Sequence, residues 1–165
     1  MENSGEIFDN WNYLYTDLSA FFLNNAKLRY ADKKNILYQI IDVNHPFEQQ
    51  GVEPGSINAC VANGVLNNAR NISESVRYAL QSLRAGGYLV VIEPTGEAAE
   101  ILISQAFMID QGDEPGNTEE TTFLTDENWK QVFSDAGAVC VAEYPEQNHP
   151  LTAFGQKIYV VQGGK

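Results

Sequence analysis

Three acidic residues stand where apolar runs end. Asp17 closes the run from Asn12 to Thr16, Asp42 closes Ile36 to Ile41, and Glu93 closes Tyr88 to Ile92, with Pro94 directly after it. Near-continuous apolar runs of this kind fit strands buried on both faces, as in a parallel sheet. In an open α/β sheet, the C-terminal ends of such strands face the ligand crevice. A carboxylate there can accept two hydrogen bonds from a vicinal diol such as a ribose, and one on the neighbouring strand can accept from an adenine amino group. Asp17 also has a plainer explanation, since Thr16-Asp17-Leu18-Ser19 is a fair helix start in which Asp serves as a cap. Glu93 could hold or orient a base, or be a solvated acid at a strand end.

Other reactive side chains form no constellation. His45 and His149 are far apart and show no metal-ligand spacing. Cys60 and Cys140 each sit in an apolar, strand-like run and read as buried reduced thiols, with a disulfide or metal pair as the alternative. His149, followed by Pro150, reads as a surface-loop residue that could also overhang a substrate mouth. Trp11 and Trp129 read as packing residues rather than stacking platforms.

The elements that must position these groups follow from periodicity and punctuation. A strand over about Asn12–Thr16 is followed by a helix from about Leu18 to Tyr30, with Leu18, Phe21, Phe22, Ala26 and Leu28 mostly at helical spacing. After the strand Ile36–Ile41, a loop rich in Pro and Gly carries at most one helical turn, and Ile57–Ala62 forms the next strand. Asn71 with Glu74 makes a capping-box pattern for a helix running to Arg84 along a stripe of Ile72, Val76, Ala79, Leu80 and Leu83. Gly86-Gly87 is expected to stop that helix. Glu97 to Met108 reads as helical, and Asp110 to Glu120 as an acidic, mobile connection. Thr125 caps a further helix with Asp126 and Glu127 in its first turn, and Gly137 ends it. Ala138–Tyr144 and Gln156–Gln162 would close the chain as a long-tipped hairpin. The alternation predicts an α/β sheet covered on both faces, with an antiparallel element at its end.

The 165 residues suit one globular domain, and a 44% hydrophobic fraction suffices for a core. A net charge of -12 without any Lys/Arg cluster disfavours nucleic-acid binding. No apolar run approaches the roughly 18 residues of a membrane span, and the N-terminus does not resemble a signal peptide. These features predict a cytoplasmic protein with no membrane or nucleic-acid partner.

Several segments, in order, resemble those of class I S-adenosylmethionine-dependent methyltransferase domains embedded in nonribosomal peptide and polyketide synthetases. Tyr13-Leu14-Tyr15-Thr16-Asp17-Leu18-Ser19-Ala20-Phe21-Phe22 is similar to their second-strand motif. Glu48 to Ser56 resembles their Q-G-F-x-P-x-S segment, Ala62 to Arg70 their A-x-N-V-L-H-x-(A/T)-R segment, and Leu83 to Leu89 their L-x-P-G-G-x-L turn. Ile92-Glu93-Pro94-Thr95, His149-Pro150-Leu151 and Phe154-Gly155-Gln156 look most like the siderophore-type branch. The likeness runs from about Tyr13 onward and implies a Rossmann-like methyltransferase sheet. It implies that Asp17 holds the ribose hydroxyls of S-adenosylmethionine, while Asp42 and the Val43 backbone face the adenine. It places the Asn63–Asn67 loop, Gly64 included, beside the methionine moiety and the transferred methyl. It assigns Asn67 and Glu93 to the catalytic positions, where carbon-methylating relatives carry a basic His oriented by the Glu. It also implies a small-molecule acyl or aminoacyl substrate on a carrier domain of a synthetase.

The chain departs from that pattern. The family's His is Asn67, its Asn is Gly64, and its fourth-strand Asp is Asn58. An amide cannot act as a general base near neutral pH. The first strand and glycine-rich loop should precede Tyr13, yet residues 1–12 hold one glycine, Gly5. The expectation is therefore an incomplete domain with two exposed strand edges and a tendency to form a homodimer. The alternative function is a catalytically inactive fragment or interaction module.

Overall fold

A computed structural model describes residues 11–95 and 123–163. The predicted elements at Glu97–Met108 and Asp110–Glu120 lie outside the described residues. The chain gathers into two compact units, one up to Asp42 and the other from Val43 onward.

In the first unit, β1 (Tyr13–Asp17) and β2 (Ile36–Ile40) pair in parallel, joined by helix α1 (Ala20–Arg29). Parallel pairing demands a crossover, and α1 supplies it. Leu23 and Ala26 are its buried residues, while Leu18, Phe21, Phe22 and Leu28 are exposed, so the predicted apolar stripe is mostly not the packed face. A two-stranded sheet is too narrow to cover more than one side of the helix. The Tyr15 and Tyr38 rings pack at 5.9 Å across the strand pair, and the Tyr38 hydroxyl reaches the Ala26 carbonyl of α1.

The second unit is a four-stranded sheet in the order β3-β4-β6-β5. β3 (Ile57–Asn63) and β4 (Leu83–Pro94) are parallel, whereas β6 (Gln156–Gly163) runs antiparallel to both β4 and β5 (Ala138–Tyr144). The chain thus closes as the predicted hairpin, and its returning strand enters the sheet beside β4. Helix α2 (Ile72–Ser82) connects β3 to β4. Its start matches the predicted cap, since the Asn71 side chain accepts from the Glu74 N–H at 2.8 Å. Helix α3 (Asp126–Asp135) is likewise capped by Thr125, which accepts from the Asn128 N–H.

Gly86-Gly87 does not end α2. The helix stops at Ser82, because Leu83 is already extended and aligned with Ile57 of β3. The two glycines instead shape the start of β4. Gly86 holds a φ of 77°, and a Cβ on Gly87 would sit 3.0 Å from the carbonyl oxygens of both Arg84 and Asn58. Glycine is needed there for close backbone approach.

The core lies between this sheet and helices α2 and α3, with Val76, Leu89, Val91, Trp129, Phe133, Tyr159 and Val161 almost wholly buried. Trp129, Phe133 and Tyr159 pack ring on ring at 5.3 to 6.3 Å. Trp129 is thus a packing residue as expected, whereas Trp11 is 61% exposed. The Tyr159 hydroxyl donates to Asp126 at 2.7 Å, and Lys157 and Lys130 pair with both Asp126 and Glu143. This charged group ties the first turn of α3 to β5 and β6. Cys60 and Cys140 are free thiols. No helix among the described residues is long and apolar enough to cross a membrane.

Candidate functional site

In the first unit, the geometry around Asp17 follows from the parallel register. Asp17 aligns with Ile40, and the Ile41 N–H donates to the Asp17 carbonyl, so the pairing carries one residue past β2. Asp42 comes next. Both carboxylates therefore stand at the C-terminal rim of adjacent parallel strands, where ligand sites of this architecture form. Asp17 Oδ1 accepts from the Ser19 N–H at 2.8 Å, while Ser19, the N-cap of α1, makes no side-chain cap bond. The plain reading of Asp17 as a helix-start residue is thus true of one oxygen, and Oδ2 retains its accepting capacity.

In the second unit, the turn after β3 and the end of β4 meet at Glu93. The carboxylate is 1% exposed, so it is not the solvated strand-end acid that sequence left open. Glu93 Oε1 accepts from the N–H groups of Val65 at 2.8 Å and Leu66 at 2.7 Å. Oε2 accepts from Asn67 Nδ2 at 3.1 Å. These donors sit at the start of a short 3₁₀ turn, Leu66–Asn68, whose free N–H groups need acceptors. Burial pushes the Glu93 carboxyl up to about 7, against the lowering effect of its hydrogen bonds from Leu66, Val65 and Asn67.

Asn67 is buried as well, and its Nδ2 also donates to the Pro94 carbonyl at 3.2 Å. Gly64 makes the bend that brings this turn over β4. Its φ is 62°, a conformation glycine adopts without steric cost, and its N–H donates to the Ile92 carbonyl. Asn63, the last residue of β3, is exposed. Val43 begins this unit and is packed against its core.

Glu93 and Asn67, predicted as partners from resemblance, are thus in direct contact. The backbone anchoring of Glu93 was not foreseen. The signal for it lay in the Gly64 to Asn68 stretch, a tight turn with orphan donors opposite a strand-end acid. His149 sits elsewhere. Its half-buried ring accepts from the Leu151 N–H and packs at 5.3 Å from Tyr144, serving as the cap of the 3₁₀ segment Pro150–Phe154. Among the described residues, no group of three His, Cys, Asp or Glu side chains could hold a metal ion.

Known proteins place this architecture. A carbon methyltransferase, CurJ, superposes on 93% of the chain with a TM-score of 0.80 and 22% identity, the match covering 42% of that structure. The fold is that of a class I methyltransferase domain. The trans-methyltransferase CalH, solved as a complex with SAH, covers 91% of the chain at a TM-score of 0.71 and 21% identity, again over 42% of that structure. In sequence, the chain is 30% identical to pyochelin synthetase PchF of Pseudomonas aeruginosa over 125 residues, 76% of the chain and 7% of that synthetase. It is 32% identical over 103 residues to the hybrid PKS-NRPS synthetase lepA of Aspergillus flavus, 62% of the chain and 3% of that protein. The chain therefore spans under a tenth of the length of these synthetases. No protein-family profile matches it.

Proposed function

We propose that this chain is a segment of an S-adenosylmethionine-dependent methyltransferase domain of a nonribosomal peptide or polyketide synthetase. It acts on an acyl or aminoacyl group held on a carrier domain, and the PchF relative favours siderophore assembly. The observation that carries this reading is the pairing of Asp17 and Asp42 at one rim of two adjacent parallel strands. A nucleoside offers a diol and an exocyclic amine, and two acceptors on neighbouring strands suit both. The residues fit the cofactor's nucleoside in donor and acceptor type: Asp17 Oδ2 is available to a ribose hydroxyl, and Asp42 with the Val43 backbone serves the adenine.

S-Adenosylmethionine, when bound, supplies a methyl group on a positively charged sulfur. The chain's own residues provide positioning, which is most of what an in-line displacement needs. Glu93 fixes the Asn63–Asn68 turn through the N–H groups of Val65 and Leu66.

A second reading, a chain that keeps the fold without catalysing transfer, has its own support in Asn67. That side chain is an amide held by two acceptors, Glu93 and the Pro94 carbonyl, and has no basic nitrogen. Calorimetric titration of the chain with S-adenosylhomocysteine separates the two. Micromolar binding supports the cofactor site; no heat at high concentration removes it. Self-association is a further part of the proposal, because among the described residues one edge each of β1 and β3 lacks a strand partner. A monomeric mass by light scattering at high concentration would count against it.

A further inference from the structure

Outside the contact between Glu93 and Asn67, a second group of side chains stands at the same end of the sheet. β4 and β6 are antiparallel with Pro94 opposite Gln156, and the Thr95 N–H donates to the Gly155 carbonyl at 2.8 Å, so the pairing runs one step past both strands. The connection from Pro145 to Gly155, which joins β5 to β6, therefore leaves the sheet where β3 and β4 finish. Asn67 bonds the Pro94 carbonyl, so the turn after β3 and this connection are tied to consecutive residues, Pro94 and Thr95. The connection is held by its own hydrogen bonds. The His149 N–H donates to the Glu146 carbonyl, His149 Nδ1 accepts from the Leu151 N–H at 3.2 Å, and Thr152 Oγ1 donates to the His149 carbonyl at 2.7 Å. On this frame Leu151 is 42% exposed and Phe154 59% exposed. Single exposed apolar side chains are ordinary, but these two share one short, well-bonded tip at the rim where the strands end.

Resting on the methyltransferase reading, we infer that Leu151 and Phe154 are specificity residues that form one wall of the acceptor site and take the apolar portion of the acyl group. Beyond its carbonyl, an acyl thioester offers little for polar groups to hold, so its chain is recognised through apolar contact. Each methylene removed from water contributes roughly fourfold in affinity. Phe154 directly precedes Gly155, the residue bonded to Thr95, so its place is fixed relative to the end of β4. Gly155 turns the chain into β6 at a φ of 65°, which glycine adopts without steric cost. His149 is a positioning residue. It caps the segment Pro150–Phe154 that carries both side chains, and its ring packs on Tyr144, the last residue of β5.

The test uses the synthetase that contains this chain. Binding of S-adenosylhomocysteine is measured first; its absence overturns the methyltransferase reading and the inference with it. The loaded protein is then irradiated with a soluble octanoyl thioester carrying a terminal diazirine, and the labelled peptides are mapped. Label should fall on residues 144–154. Unlabelled octanoyl thioester should suppress it at a concentration at least about tenfold lower than acetyl thioester requires. The double variant Leu151→Ala, Phe154→Ala should lose the suppressible label by about tenfold or more, while its unchanged affinity for S-adenosylhomocysteine shows that the domain is still folded. Label on the tip should also weaken in His149→Ala and recover in His149→Asn, whose side chain can serve as a cap; equal loss in both would overturn the part given to His149. Label that misses the tip, equal suppression by octanoyl and acetyl thioesters, or label undiminished in the double variant would overturn the inference while leaving the cofactor site standing.

Discussion

The Leu66 N–H lies 2.7 Å from Oε1 of Glu93, joining the turn after β3 to the last residues of β4 through a carboxylate that solvent does not reach. Two parallel strands whose chain connection is a whole helix are thereby locked at their C-terminal ends by one side chain. Four consequences can be measured.

Glu93→Ala should be strongly destabilising, since the Val65 and Leu66 N–H groups would lose their acceptor inside the protein. Each buried donor left unsatisfied costs about 1–3 kcal/mol. Glu93→Gln keeps one oxygen for those donors but sets an NH₂ group against Asn67 or the backbone, and should cost less than the alanine variant. Urea denaturation midpoints would rank them, and equal midpoints for wild type and Glu93→Ala would contradict the anchoring role.

Glu93 also gives stability a pH dependence. Its folded carboxyl is pushed up to about 7 from an ordinary value of 4.5, so the folded chain holds this proton more tightly than the unfolded chain does. The contribution is fully present below about 4.5 and is lost as pH rises through about 7. Glu93→Gln should remove that slope. Denaturation midpoints of wild type and Glu93→Gln at pH 5 and pH 8 check it: the wild-type midpoint should fall more than that of the variant.

Asp126 should behave in the opposite sense. Burial works against its charge, but hydrogen bonds from Lys157, Tyr159 and Lys130 prevail and hold its carboxyl below 3.8. Its contribution is present above the unfolded value and disappears as pH falls through the lower folded one. Tyr159→Phe, which deletes the 2.7 Å bond to Asp126 within a fully buried ring cluster, should cost about 1–3 kcal/mol, as for a hydrogen bond to a charged group. A thermal melt unchanged by this substitution would show the bond to be idle.

Asp17→Asn tests the proposed cofactor site with little effect on the fold. Asparagine caps helices as well as aspartate does, so the bond to the Ser19 N–H survives. What is lost is the anionic acceptor proposed for a ribose hydroxyl. Affinity for S-adenosylhomocysteine should fall by roughly 10–100-fold, the equivalent of one charge-assisted hydrogen bond, while the melting temperature stays nearly constant. Undiminished affinity would remove Asp17 from the binding site.

The sequence by itself determined the order of elements among the described residues, because periodicity, caps and turn residues are local properties. Asn71 and Thr125 cap helices where their spacing places them, and the apolar runs ending at Asp17, Asp42 and Glu93 are strands, although Tyr13 of β1 and Leu37 and Ile40 of β2 are exposed rather than buried on both faces. Resemblance supplied the pairing of Asn67 with Glu93. The end of α2 was not legible, since Leu83 leaves the helix in order to align with Ile57, a partner 26 residues earlier in the chain. The packed side of α1 was equally hidden: Phe21 and Phe22 are as apolar as Leu23, and only the position of the strand pair decides which is covered. The state of Glu93 belongs to tertiary structure entirely. A strand-end acid is solvated by default, and it becomes a buried, hydrogen-bonded carboxylate only because the fold brings the N–H groups of Val65 and Leu66 to it across 28 and 27 residues of chain.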